Sequence, residues 1–242
     1  MVALIAAWDI SVRTGLAPRF LFGRPLDVFI VLKGWIFSKT IYYHLWITLI
    51  ETILAFCVGT ALGLGFGLWL ALSPLASAVL DPFIKALNSM PRLILAPIFA
   101  MWFGLGIWSK VALGVTIVFF IVFFNVYQGV REVSPVAIAN TRMLGATPMQ
   151  LIRRVYIPSA MTWVFSSLHL SVGMAFVGAV IGEYLGAAAG VGYLILQAES
   201  TFDMDTVVAG IIVLTGFAII LDQIVTIVER RWLRWRPQAE HW

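Results

Sequence analysis

Four apolar runs, His44 to Leu72, Val111 to Val130, Trp163 to Leu185 and Val207 to Val228, each reach the ~20 residues with which a helix crosses the hydrocarbon core of a bilayer. A soluble domain of 242 residues has no interior large enough for all of them, and a composition of 61% hydrophobic against 12% charged residues closes that route. The chain is therefore read as an integral membrane protein whose spans are helices, because backbone in lipid must satisfy its own polar groups. A fifth run, Phe83 to Gly104, carries Pro91, Arg92 and Pro97. It is expected as a broken or kinked span that lines protein rather than lipid. At the N-terminus Val2 to Ala7 is apolar, but Asp9, Arg13 and Pro18 follow too soon for a crossing, and no basic stretch supports a signal peptide. Residues 15–43 are expected as an outer connector, with Phe29, Ile30, Leu32, Trp35, Ile36 and Phe37 suited to an interfacial helix.

Between the second and third long runs lies a polar interruption, VSPVAIANTRMLGATPMQLIRRVYIP, Val133 to Pro158. Ser134 followed by Pro135 is a helix start, since proline fixes a helical φ and lacks an N–H that would be orphaned there. Gly145 is a stop, because glycine enters the left-handed conformation without a Cβ clash. Thr147, Pro148 and Gln150 then supply N-cap, first position and capping-box partner for a second start. The segment reads as helix, corner, helix, outside the membrane and shaped for another protein to grip.

Ala139-Asn140-Thr141, three residues, Gly145, nine residues and Val155-Tyr156-Ile157-Pro158 resemble the EAA loop of ABC importer permeases, in which Glu-Ala-Ala precedes the same Gly and Ile-x-Leu-Pro spacing. Ala139 stands in place of the acidic residue, and Asn140 and Thr141 in place of the alanines. Ser73 to Lys110 and GEYLGAAAGVGYLI, Gly182 to Ile195, are similar to the nitrate/sulfonate/taurine-type permeases, and the likeness runs from about Tyr43 to Pro237. It implies an all-α, polytopic transmembrane bundle of the type I ABC importer permease fold, with about five full spans and a partial N-terminal helix. The implied organisation is a partial first helix and outer connector over 1–43, a core over 44–237 with coupling helices at 134–154, and a tail over 238–242. By the same resemblance, Ala139, Asn140, Thr141, Arg142, Gly145, Ala146, Thr147, Pro148 and Pro158 couple to an ATPase. Gly186, Gly190 and Gly192 break the chain into the family's re-entrant outer segment. The implied setting is the bacterial inner membrane, multi-pass. Nine Lys and Arg then fall inside (Lys85, Arg131, Arg142, Arg153, Arg154, Arg230, Arg231, Arg234, Arg236) against six outside (Arg13, Arg19, Arg24, Lys33, Lys39, Lys110), a modest bias in the expected direction.

Glu51, Arg92, His169, Glu183 and Asp222 stand at or near membrane depth. A charged side chain at a helix centre costs roughly 2.5 to 3.5 kcal/mol on insertion scales, so each should face protein or a cavity. Asn88, Arg92, His169, Glu51 and Glu183 are candidates for the translocation pathway, and pairing between neighbouring helices is the competing reading. Gly59, Gly63 and Gly67 make a small-residue stripe that admits another backbone. Asp203 and Asp205 suit the N-terminus of the last span.

Catalytic chemistry finds no footing. No Ser-His-Asp or Cys-His constellation appears, the single Cys57 and the histidines at 44, 169 and 241 offer no metal site, and GLGIWSK, Gly104 to Lys110, fails the phosphate-loop pattern. The chain is expected to be no enzyme, to hold no metal or cofactor, and to leave ATP and Mg to a partner subunit. Implied partners are a dimer of ATP-binding subunits, a second permease copy as a homodimer, an extracytoplasmic substrate-binding protein and membrane lipid. The net charge of +4 calls for no nucleic acid. The expected cargo is a small anion such as nitrate, a sulfonate, taurine or an organic acid. ATP-driven closure would shift the population between inward-open and outward-open states. A stand-alone secondary transporter, using Glu51, Glu183 or Asp222 as a proton-coupling carboxylate, is the alternative. An intramembrane enzyme is a third, with no facing nucleophile and base to support it.

Overall fold

The computed structural model describes residues 2–232. The expected tail 238–242, together with Arg234, Arg236 and His241, lies outside the described residues. Among those described, every regular element is helical: α1 Val2–Arg13, α2 Arg19–Phe22, α3 Pro25–Phe37, α4 Thr40–Leu72, α5 Pro74–Ser89, α6 Leu95–Phe103, α7 Ile107–Arg131, α8 Pro135–Met143, α9 Pro148–Leu151, α10 Ile157–Gly186, α11 Val191–Ser200 and α12 Met204–Trp232. Stretches within α4, α7, α10–α11 and α12 are long and apolar enough to cross a membrane, and the bent α5/α6 pair forms a fifth, broken segment. The chain divides into two compact units that interleave along the sequence. One holds Met1–Thr52, Leu93–Leu113 and Phe176–Ile220, the other Ile53–Arg92, Gly114–Ala175 and Leu221–Trp242.

In the second unit, α4 and α7 meet along matched four-residue steps. A Cβ placed on Gly59, Gly63 or Gly67 would lie 2.7, 2.8 or 2.9 Å from the Cβ of Val118, Val122 or Val126, and one on Gly114 would lie 2.6 Å from that of Ala55. The small-residue stripe thus has α7 as its partner, and the approach is one that only glycine permits. Ala55, Val118, Val122, Val126 and Ala175 form the buried core around it. Residue numbers on both helices rise together along the shared face, so α4 and α7 run parallel. The chain between Leu72 and Ile107 must therefore return across the same thickness, which makes the broken α5/α6 pair a crossing.

That break differs from the expectation. The helix begins at Pro74 rather than near Phe83, and it stops at Ser89, where Met90 is extended (φ −71°, ψ 132°), as a residue before proline prefers. Pro97 produces no kink, because it sits in the first turn of α6, where a helix leaves N–H groups unpaired in any case.

Candidate functional site

Two sites emerge, one in each unit. In the second unit, α8 and α9 build the corner. Ser134 holds the N-cap position, but its side chain makes no cap bond, so Pro135 alone sets that start. At the other end Gly145 has φ +77°. Its N–H donates to the Arg142 carbonyl at 2.9 Å, while that of Ala146 donates to the Thr141 carbonyl at 3.3 Å. This pair of bonds is a Schellman stop. The next helix starts two residues on with a full capping box: Gln150 N–H donates to Thr147 Oγ1 at 3.3 Å, and Thr147 N–H donates to Gln150 Oε1 at 2.8 Å. Thr147→Ala should cost about 1 kcal/mol, readable as a lower melting temperature of the detergent-solubilised protein.

The second short helix is not a separate element, as the sequence suggested. From Leu151 the chain widens into a π-helix, Ile152–Tyr156, in which Ile157 N–H reaches back to the Ile152 carbonyl, and continues directly into α10. Pro158 explains the widening: it has no N–H to donate and its ring would strike the carbonyl four residues earlier, so the ladder shifts by one residue ahead of it. Among the coupling residues, Ala139, Asn140, Arg142, Gly145, Thr147, Pro148 and Pro158 are exposed, and Thr141 and Ala146 are half-buried. Sequence reasoning passed over the apolar side chains between them. Met143, Leu144 and Met149 are 78%, 88% and 70% exposed, while Leu151 anchors the corner at 5%.

The expected pathway residues fall into separate places. Asn88 and Arg92 come together across the α5/α6 break. The Arg92 guanidinium donates to the Asn88 side-chain oxygen and, at 3.3 Å, to the Asn88 carbonyl. Its carbon lies 4.7 Å from the centre of the Phe120 ring. His169 instead meets Asp222 of α12, Nε2 to Oδ1 at 3.1 Å, the two side chains 39% and 66% exposed.

Glu51 and Glu183 lie in the first unit and are buried, at 1% and 0% exposure. Around them is the second site. Thr48 Oγ1 donates to Glu183 Oε1 at 2.6 Å, and Gly192 N–H donates to Glu183 Oε2 at 2.8 Å. Val191 N–H donates to Thr48 Oγ1 at 3.3 Å, and Gly190 N–H to His44 Nδ1 at 3.1 Å. Lys110, counted from the sequence among the outer-side charges, is 1% exposed. Its ammonium donates to the carbonyls of Leu105 and Gly106 at 2.5 and 2.9 Å, and its stem packs under Gly182. Both acceptors lie four and five residues upstream, so the contact is local in the sequence.

Comparisons with known proteins agree on one family for the chain. Residues 63–234 match the family model described as binding-protein-dependent transport system inner membrane component. A Bacillus subtilis protein named as an aliphatic sulfonates transport permease, SsuC, is 31% identical over 98% of this chain and 86% of its own length. The formylaminopyrimidine transport permease protein ThiX of Halalkalibacterium halodurans is 31% identical, with 97% and 93% covered. The taurine transport system permease protein TauC of Escherichia coli is 27% identical, with 99% and 88% covered. Among solved structures, a chain from the MetNI methionine ABC transporter in inward-facing conformations superposes with a TM-score of 0.66 at 20% identity, over 79% of this chain and 95% of that one, which shows a shared fold. The chain belongs to the binding-protein-dependent transport system inner membrane component family, as a multi-pass permease subunit of an ABC importer in which a separate subunit hydrolyses ATP.

Proposed function

We propose that this permease works as a pair of identical copies, takes its driving force at the α8–α9 corner from an ATP-binding subunit carrying ATP and Mg, and passes a small anion handed over by a binding protein. One observation supports the coupling role above all. Three large apolar side chains, Met143, Leu144 and Met149, stand in the open on a corner closed by a Schellman stop on one side and a capping box on the other. Exposed apolar groups on a rigid support are the features of a docking knob rather than of a solvated loop. Because α9 runs on through the π-helix into α10, a push on the corner enters a membrane-spanning helix without crossing a flexible joint. The test is a Leu144→Cys variant in a Cys57→Ser background: a thiol-specific photocrosslinker should join it to the ATP-binding subunit. Crosslinking confined to lipid or to the permease itself would defeat the proposal.

An anionic cargo is supported by Arg92, whose guanidinium is held by Asn88 and laid over Phe120 at the α5/α6 break, and by the relatives named for sulfonates and taurine. Irregular backbone at membrane depth is tolerated where it lines a cavity, so a cation fixed there is placed to meet an anion. Arg92→Ala should cut uptake of the cognate anion at least about tenfold, corresponding to one charge-assisted hydrogen bond, while the complex still assembles and hydrolyses ATP. Full uptake by that variant would remove Arg92 from the pathway.

A further inference from the structure

The feature that the coupling and cargo readings leave unused is the start of α11. A helix opens with N–H groups that have no partner inside it, and the usual remedy is a side chain on the N-cap residue itself. Here the N-cap residue is Gly190, which has no side chain to offer. Its N–H and the next two are instead taken by His44, Thr48 and Glu183, which belong to α4 and α10. The Thr48 to Glu183 bond ties those two partners to each other. Glycine is required for the approach. Gly190 has φ +111°, and a Cβ there would fall within 2.6 Å of all three carboxyl atoms of Glu183, while one on Gly192 would fall 2.6 Å from the Val180 carbonyl.

A local cap would stabilise α11 wherever the segment moved. A cap relocated to two other helices stabilises it in one place only. We infer that His44, Thr48 and Glu183 are positioning residues for the outer segment 187–200, clasping it to α4 and α10 so that the outer mouth stays closed while the importer rests. The inference rests on the importer reading for the side of the membrane that this segment faces. Any outward movement of 190–192 must break three hydrogen bonds, one of them to a buried carboxylate. Such bonds are the stronger class.

The test places a single cysteine at Val191, which is 0% exposed beside the clasp, with Cys57 replaced by serine, and measures its rate of labelling by a membrane-impermeant maleimide added outside to the resting complex. Glu183→Ala should raise that rate at least tenfold. Glu183→Gln should restore protection, because its amide oxygen still accepts from Gly192 N–H and its amide nitrogen can donate to Thr48 Oγ1, whose proton then turns to the His44 carbonyl 3.0 Å away. A merely structural role for the carboxylate would not separate these two variants. Should Glu183→Ala fail to assemble, Thr48→Val removes the central hydroxyl at nearly constant volume and carries the same expectation. Equal labelling in the parent and in an assembled clasp variant overturns the inference. If labelling rises as expected but no ATP-binding subunit accompanies the parent protein, the clasp stands and the importer reading falls.

Discussion

Leu144→Asp should leave the permease folded and membrane-inserted while abolishing its association with the ATP-binding subunit. Leu144 is 88% exposed at the corner between α8 and α9, and the Schellman bonds that shape this corner use only backbone groups. Leu144 is the C-cap residue of α8, but the substitution changes only its side chain and leaves the core and the backbone cap bonds in place. Removing a central apolar side chain from an interface typically costs about 2 kcal/mol or more, and burying an unpaired carboxylate in its place adds to that. A weakening of affinity by about 30-fold or greater follows. Co-purification in mild detergent measures the association, and uptake in vesicles should fall in parallel. Retained ATP-binding subunit together with undiminished uptake would show that this corner is not where force enters.

Gly63→Leu should be the most damaging single change in the second unit, and Gly65→Leu, two residues along the same helix, should be nearly silent. At Gly63 the first added carbon would lie 2.8 Å from Val122 Cβ and 2.9 Å from the Phe119 carbonyl oxygen, whereas at Gly65 nothing stands within 4 Å. The carbonyl belongs to the backbone of α7 and cannot rotate away. Relief requires α4 and α7 to separate, which opens the matched packing at Gly59 and Gly67 as well. Overpacking of this kind costs about 3 kcal/mol or more when the obstacle cannot yield. Loss of folded protein for Gly63→Leu beside normal yield and melting for Gly65→Leu is the expected pair of results; equal behaviour would mean that the stripe does not set the helix approach.

The membrane spans were legible because length and apolarity are local properties, and so were Gly145 and the Thr147–Gln150 box, whose partners lie within a few residues. The clasp was not legible. Thr48 and Glu183 are 135 residues apart, and His44 and Gly190 are 146 apart, so no pattern within a window joins them. Glu183 read as a pathway candidate with pairing between helices as the competing reading, and its partners include the Thr48 hydroxyl and the Gly192 N–H. Lys110 was counted only among the outer-side charges; its charge suggested water, but two carbonyls of the preceding turn take that water's place. Pro91 and Pro97 look alike in sequence and act differently, since only Pro91 forces the residue ahead of it out of the helix. Pro158 was read as a motif position, and its effect on the turn before it appears only in three dimensions.

That wide turn, Ile152–Tyr156, gives the rod beginning at Pro148 a torsional step. One residue taken up in the wide coil turns everything ahead of it by about 100°, the angle that one residue subtends in an α-helix. Because Pro158 holds that residue in the wide turn, the offset is fixed, and the knob at Leu144 and the span behind it rotate as one piece.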